Sequence, residues 1–304
     1  MLGEKILVLG GTRFIGRALV SELVKSSEFC ITVSSRRHLK LDKKRVSNIV
    51  CERRNLPSLV DSLESYDYVF DFTAYKPEHI YELPKGWPKR RYFMISTEWI
   101  SQIQQIPARK FGEVDSSYIR NKALAEESLC HRFHEVATII RLPPVLGKQD
   151  HHKRLNYYLN RIKQIKRVIT LEDNVNRPFL WSLDFSRQMV SRLKSNTDFL
   201  NFHKLAPTTK VSHASFLKSL AAFFGISIQL ENMSLEQIKE FYPNTFKADL
   251  MLHEVESAPQ MPNLWNQTYM VGLDENLKDV DLLATLAMTE LQQSAINEES
   301  RNEP

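Results

Sequence analysis

The chain has 304 residues, of which 42% are hydrophobic and three are cysteines, and its formal net charge is +5. This composition lies outside the disordered range, the cysteines are too few for a disulfide framework, and no apolar run reaches bilayer-spanning length. The positive balance suits an anionic partner: a nucleotide, a nucleotide-linked substrate or RNA.

In chain order, the first apolar run is Ile6-Leu7-Val8-Leu9. It is short and closed by glycine, which predicts a buried parallel strand. The chain enters it directly, without the charged and apolar regions of a leader, so a cytoplasmic protein is expected. Next comes GGTRFIG, residues 10–16, followed by Phe14, Ile15, Ala18, Leu19, Leu23 and Val24 at helical spacing. A strand, a glycine turn and a helix start together form an anion site, because backbone N–H groups and the helix dipole face the ligand. Gly10 and Gly11 allow the turn, and Gly16 lets the helix pack closely, as a dinucleotide pyrophosphate requires. The middle place of a full three-glycine fingerprint is held by Arg13, beside Thr12; it either neutralises phosphate or lies along the surface.

Further strands are predicted at 30–34, 48–51, 68–72, 92–96 and 137–141, with helices at 56–63 and 118–133. This alternation predicts a Rossmann-type doubly wound parallel sheet, with ligands at the carboxyl ends of its strands. After Gly147 helical patterns dominate, at 183–193, 213–224, 235–241 and 280–291, with short strands at 179–181 and 199–202. The expected organisation is a dinucleotide-binding domain over 1–147, a mostly helical substrate portion over 148–296 that does not fold alone, and a frayed tail over 297–304. The basic run 151–167, HHKRLNYYLNRIKQIKR, reads as an amphipathic helix with a solvated charged face. His131 with His134, and His151 with His152, lack a supporting carboxylate set, so no metal site is expected.

Residues 118–122 read YIRNK. Tyr118 and Lys122 share a helix face at this spacing. A nearby ammonium stabilises phenolate, making Tyr118 a candidate general acid or base for alcohol–carbonyl interconversion. Tyr81 and Lys85 have the same spacing, but Pro84 between them predicts a loop. Ser96 and Thr97 end the predicted fifth strand, where a hydroxyl can hold a substrate oxygen or cap a helix. The second strand ends in Ser34-Ser35-Arg36-Arg37. There is no carboxylate there for a ribose hydroxyl, and two arginines suit a ribose phosphate, so NADP is expected ahead of NAD.

Six stretches together resemble the NAD-dependent epimerase/dehydratase branch of the extended short-chain dehydrogenase/reductase superfamily, over about residues 4–225. They are GGTRFIG, DYVFDFTAY (67–75), MISTEWI (94–100), YIRNK, RLPPVLG (141–147) and RPFLWSLDF (177–185). The resemblance implies Tyr118 as acid/base and Lys122 on the nicotinamide ribose, with Thr97, or else Ser96, orienting the substrate. It places the pyrophosphate on Gly10, Gly11, Thr12, Arg13, Phe14, Ile15 and Gly16, and the ribose phosphate near Arg36 and Arg37. Adenine would lie near Asn55 and Leu56, and Phe72, Thr73 and Ala74 would pass under the cofactor. Arg177 would contact a substrate phosphate, with a surface arginine as the other reading, and a homodimer would pack through the Tyr118 helix and its neighbour. Ser101 stands where the family commonly has tyrosine, and Trp99 is bulky for its place, so the substrate pocket is expected to be reshaped. The expected activity is hydride transfer between nicotinamide and an alcohol or carbonyl carbon of a small substrate, possessing a phosphate or nucleotide in some cases. Two alternatives stay open: a sugar-nucleotide epimerase that retains its cofactor, and a non-catalytic RNA-binding member. The retained YIRNK, and the want of an aromatic-rich basic face, weigh against RNA.

Overall fold

The computed structural model describes residues 3–39, 45–86, 88–100, 116–133, 135–150, 153–164, 167–172, 176–178, 180–195, 202–206, 210–248 and 269–272. The expected helix at 280–291, the tail over 297–304, Ser101 and most of the expected strand at 199–202 lie outside the described residues.

In chain order the elements begin β1 (Glu4–Leu9), α1 (Phe14–Leu23), β2 (Phe29–Ser35), β3 (Val46–Val50), β4 (Tyr68–Asp71), α2 (Glu78–Tyr81), β5 (Arg91–Thr97), α3 (Ser116–Phe133) and β6 (Ala137–Leu142). They continue with β7 (Val145–Leu146), α4 (Arg154–Gln164), β8 (Arg167–Leu171), β9 (Asn176–Pro178), β10 (Leu180–Trp181), α5 (Ser182–Lys194), β11 (Phe202–Ala206) and β12 (Lys210–Ser212). The last are α6 (His213–Phe223), β13 (Gln229–Met233), α7 (Leu235–Phe241), α8 (Pro243–Ala248) and β14 (Tyr269–Gly272). Two compact units are assembled from interleaved segments: Met1–Pro143, Ser182–Leu205 and Ser257–Val271 in one, Pro144–Trp181, Ala206–Glu256 and Gly272–Pro304 in the other.

The main sheet runs β14-β11-β6-β5-β4-β1-β2-β3. Every pairing from β11 to β3 is parallel. The order reverses between β1 and β4, which is the switch point where open parallel sheets bind ligands. The strand alternation decides the two faces. Leu7, Leu9, Val69 and Met94 join Ala125, Leu129 and Phe133 of α3 in one buried cluster. Ile6, Val8, Leu19, Val20 and Leu23 are fully buried as well, and α5 packs on α1. The expected doubly wound sheet is therefore present, with the apolar runs of β1, β4, β5 and β6 buried and β3 at the edge partly exposed.

Residues 56–63 do not form the expected α-helix. The chain there makes two short 3-10 turns, Arg53–Ser58 and Leu63–Ser65. Pro57 inside the first removes an amide donor and disfavours α geometry at Leu56. All three cysteines are half-buried and free.

In the second unit, α4 buries Leu155, Tyr158, Leu159 and Ile162 on one face, packed with Phe216, Leu217 and Leu220 of α6. β8 pairs in parallel with β13, and β9 pairs antiparallel with β12. Neither β8 nor β13 is expected from sequence: RVITL adjoins the basic helix pattern, and QLENM has no apolar run.

Candidate active site

The site is built at the carboxyl edge of the main sheet. Its first part is backbone. Gly10 follows β1 at φ +86°, and its N–H donates to Ser34 O at 2.8 Å. A Cβ on Gly16 would stand 2.4 Å from Gly10 O, so only glycine lets α1 close onto the turn. Arg13 caps α1 through extended backbone with no side-chain cap bond, and the first turn of α1 carries no acid. An anion there meets the helix dipole without a competing carboxylate. Phe14, at φ +44°, holds a left-handed conformation that costs a non-glycine residue on the order of 1 kcal/mol. Arg13 is exposed and Thr12, Phe14 and Ile15 are half-buried. Arg36 and Arg37 are exposed just beyond β2, and the Ser35 hydroxyl accepts from Arg37 N–H at 3.2 Å. This glycine cradle and basic rim fit the anionic pyrophosphate of a dinucleotide.

The second part is made of side chains. Tyr118 lies in the first turn of α3 and is 37% exposed. Lys122, one turn later, is buried, and its Nζ donates to Ile95 O of β5 at 2.7 Å. Burial lowers the Lys122 pKa to about 8, while the negative charges of Asp71 and Glu126 pull it back up and Arg53 opposes them. Lys122 thus stays largely cationic at neutral pH yet can yield a proton slightly above it. Two further groups register α3 against the sheet. Arg141 of β6 donates to Glu126 through Nε at 3.0 Å and Nη2 at 2.6 Å, and both side chains are buried. Ser96 and Thr97 are buried at the end of β5. Ser96 Oγ has no hydrogen-bond partner among the described residues, whereas Thr97 Oγ1 accepts from Trp99 N–H at 3.4 Å.

Beneath this edge lies a charged network. Asp71 ends β4 with no exposure. Its carboxylate accepts from Arg53 Nη1 at 2.8 Å and Nη2 at 2.6 Å, from Thr73 N–H at 2.8 Å, and from the Tyr92 hydroxyl. Burial would raise the Asp71 pKa, but the Arg53 guanidinium holds it below the usual carboxylate range. Burial and the Asp71 charge push the Tyr92 phenol well above its ordinary value, so it serves as a neutral donor. Arg53 also donates to Thr73 Oγ1 at 2.6 Å and His79 O at 2.7 Å. Of Phe72, Thr73 and Ala74, expected under the cofactor, Thr73 is bonded by Arg53, and Ala74 is buried in the core.

The adenine expectation is narrowed. Asn55 is exposed, but Leu56 is 1% exposed as a whole residue and belongs to the core cluster. Arg177 lies in β9, paired with Val211 of β12, and its side chain is outside the described residues. Tyr81 ends α2 and Lys85 lies beyond it, so that second pair shares no helix face.

Arg53, Asp71, Tyr92, Glu126 and Arg141 form buried pairs beside the candidate site that the sequence did not reveal. Two of them left a signal. Asp71 in YVFDF and Arg141 in ATIIRL are charges inside apolar strand runs, and a buried charge demands a partner. The partners, 18 and 15 positions away, are not legible.

Solved structures share this architecture. The enzyme WbmF of Bordetella bronchiseptica, in complex with NAD+, superposes with a TM-score of 0.64 at 14% identity, covering 98% of this chain and 95% of that one. The dTDP-glucose 4,6-dehydratase of Bacillus anthracis, in complex with NAD, gives 0.59 at 17% identity over 82% of this chain and 94% of that one. The UDP-glucuronic acid 4-epimerase of Bacillus cereus, in complex with NAD, gives 0.58 at 18% identity over 76% and 86%. The chain shares the Rossmann-type α/β fold of these NAD-bound structures. No protein-family model and no curated protein sequence matches it. No described helix is long and apolar enough to cross a membrane. In this fold the glycine turn and the Tyr118–Lys122 pair both fall at the carboxyl edge of the sheet, flanking the β1/β4 switch point.

Proposed function

We propose that this chain is an NADP-dependent oxidoreductase of the short-chain dehydrogenase type, acting on an alcohol or carbonyl carbon of a small phosphate- or nucleotide-linked substrate. The observation that carries the reading is the placement of Tyr118 and buried Lys122 one turn apart on α3, with Lys122 Nζ bound to Ile95 O of β5. When bound, the dinucleotide supplies a hydride donor and acceptor at its nicotinamide. Gly10, Gly11 and Gly16 would cradle its pyrophosphate, with Thr12, Arg13, Phe14 and Ile15 completing the turn. Arg36 and Arg37 would take the ribose phosphate.

Tyr118 Oη gives a proton to the substrate oxygen during reduction and takes it back during oxidation. The Lys122 ammonium would stabilise the phenolate left behind and would be the residue that holds the nicotinamide ribose. Thr97, at the end of β5, orients the substrate oxygen, with Ser96 as its neighbour. General acid–base assistance of this kind contributes on the order of 10²- to 10⁴-fold. The positive net charge and Arg177 favour an anionic substrate.

The test is to incubate the purified protein with NADPH and a panel of carbonyl compounds and nucleotide sugars, following absorbance and product mass. Cofactor consumption with a reduced product is the expected result. An isomerised product without net consumption would make it an epimerase. Turnover that survives Tyr118→Phe undiminished would remove the assigned acid/base.

A further inference from the structure

One aromatic ring in the site is used by none of the roles above. Tyr75 follows β4 and is 46% exposed. The Lys122 Nζ lies 4.8 Å from the centroid of its ring, within the range of a cation–π contact. The Tyr118 ring is 6.2 Å from it, centre to centre, tilted by 48°. Lys122 thus has two covers: the carbonyl of Ile95 at 2.7 Å and the face of Tyr75.

The segment carrying Tyr75 is braced rather than loose. Arg53 binds Asp71 at its start, Thr73 in its middle and His79 O at its end. His79 Nδ1 lies 2.9 Å from Thr73 O and 3.1 Å from Tyr75 N, so either tautomer ties the imidazole to the segment. Desolvation and the nearby Asp71 charge raise the Tyr75 phenol above its ordinary value, which keeps the ring neutral at working pH.

We propose that Tyr75 is a positioning residue of this site: its ring face, held in place by the Arg53 brace, fixes the Lys122 ammonium beside Tyr118 in its charged form. The role rests on the reading of Tyr118 and Lys122 as site residues. Lys122 is buried, and burial alone would strip its charge. Several groups face it. Asp71 at the end of β4 and Glu126 on α3 favour the cation, Arg53 opposes it, and Arg141 of β6 shares the Glu126 charge. The π face of Tyr75 adds a neutral attraction that acts only on the cation. Removing the face while keeping apolar cover should therefore lower the pH at which Lys122 deprotonates. Through Lys122 it should weaken the stabilisation of the Tyr118 phenolate.

The experiment reads Lys122 directly, with neither cofactor nor substrate. Protein labelled with 13C at the lysine ε-carbon is titrated by NMR, and the Lys122 resonance is identified as the one lost in Lys122→Met, or in Lys122→Arg should that variant not fold. Wild type, Tyr75→Phe and Tyr75→Leu are compared. Tyr75 is half-exposed, and a thermal melt checks that each variant is folded. The expected result is that Tyr75→Phe titrates with the wild type, because the ring face is kept. Tyr75→Leu should titrate lower by about one pH unit. A Tyr75→Leu midpoint equal to that of wild type would overturn the proposal, as would a Tyr75→Phe midpoint equal to that of Tyr75→Leu, which would assign the effect to the hydroxyl. Either outcome leaves the hydride-transfer reading to its own turnover assay.

Discussion

The two halves of the candidate site are made of different material. The glycine turn is backbone: Gly10 at positive φ, Gly16 pressed onto Gly10 O, and a helix start with no side-chain cap. The Tyr118 half is a set of side chains set beside buried polar and charged groups drawn from β4, β5, β6, α3 and the turn at Arg53. A backbone site tolerates changes in most side chains and fails at a few glycines. A side-chain site fails wherever one partner of a buried pair is removed. On the proposed reading the difference also sets most of the binding, at the glycine turn, apart from the proton transfer at Tyr118.

The largest expected effect is on chemistry alone. Tyr118→Phe should lower kcat by about 10²- to 10⁴-fold while the dissociation constant for NADPH stays within a few-fold of wild type. Steady-state kinetics beside a binding titration would show this. An equal loss in both would mean that the halves are not separable.

Next comes the brace. Arg53→Met leaves Asp71 buried and unpaired, a change that costs about 3–5 kcal/mol at pH 7, measurable by urea unfolding. The sign with pH follows from the lowered Asp71 pKa. In the wild type the stability from this pair is full above the unfolded carboxylate value of 3.8 and is lost as pH falls through the folded value. The variant should lack that acid-limb loss. A variant as stable as wild type at pH 7 would show that the pair does not hold the β4 edge.

Asp184 in α5 provides a smaller contrast. It is buried too, but desolvation raises it to about 6 despite Arg187. Its folded pKa lies above the unfolded one, so burial of this group costs nothing below the unfolded value of 3.8, and the cost grows as pH rises from there until it is full above about 6. Asp184→Asn should stabilise the protein by about 1–3 kcal/mol above pH 6. The gain should disappear below pH 4. Denaturant unfolding at pH 4 and pH 7.5 would check both the size and the sign.

The same division explains what could be read in the sequence. Ile6–Leu9, Tyr92–Ser96 and Ala137–Arg141 are dense apolar runs, and all lie in main-sheet strands. The glycine turn is contiguous in the chain, so its chemistry and its order appear together. Tyr118 and Lys122 are legible because a helix converts their spacing into a shared face. The Arg53–Asp71–Tyr92 network is not, because its members are brought together by the sheet over 18 to 21 positions. Leu56 shows the opposite failure: its place by the adenine was inferred from a motif, yet its side chain serves the core. The 3-10 turn at Arg53 was available from Pro57, whose breaking effect outweighs the apolar spacing around it.

The most direct measurement is an equilibrium titration of NADPH and NADH by ligand fluorescence, on wild type and Gly16→Ala. Saturable binding is predicted, tighter for NADPH than for NADH because of Arg36 and Arg37. A Cβ forced against Gly10 O should weaken it by about tenfold. No saturable binding of either dinucleotide, or binding indifferent to Gly16→Ala, would contradict the assignment of the glycine turn as the cofactor's seat.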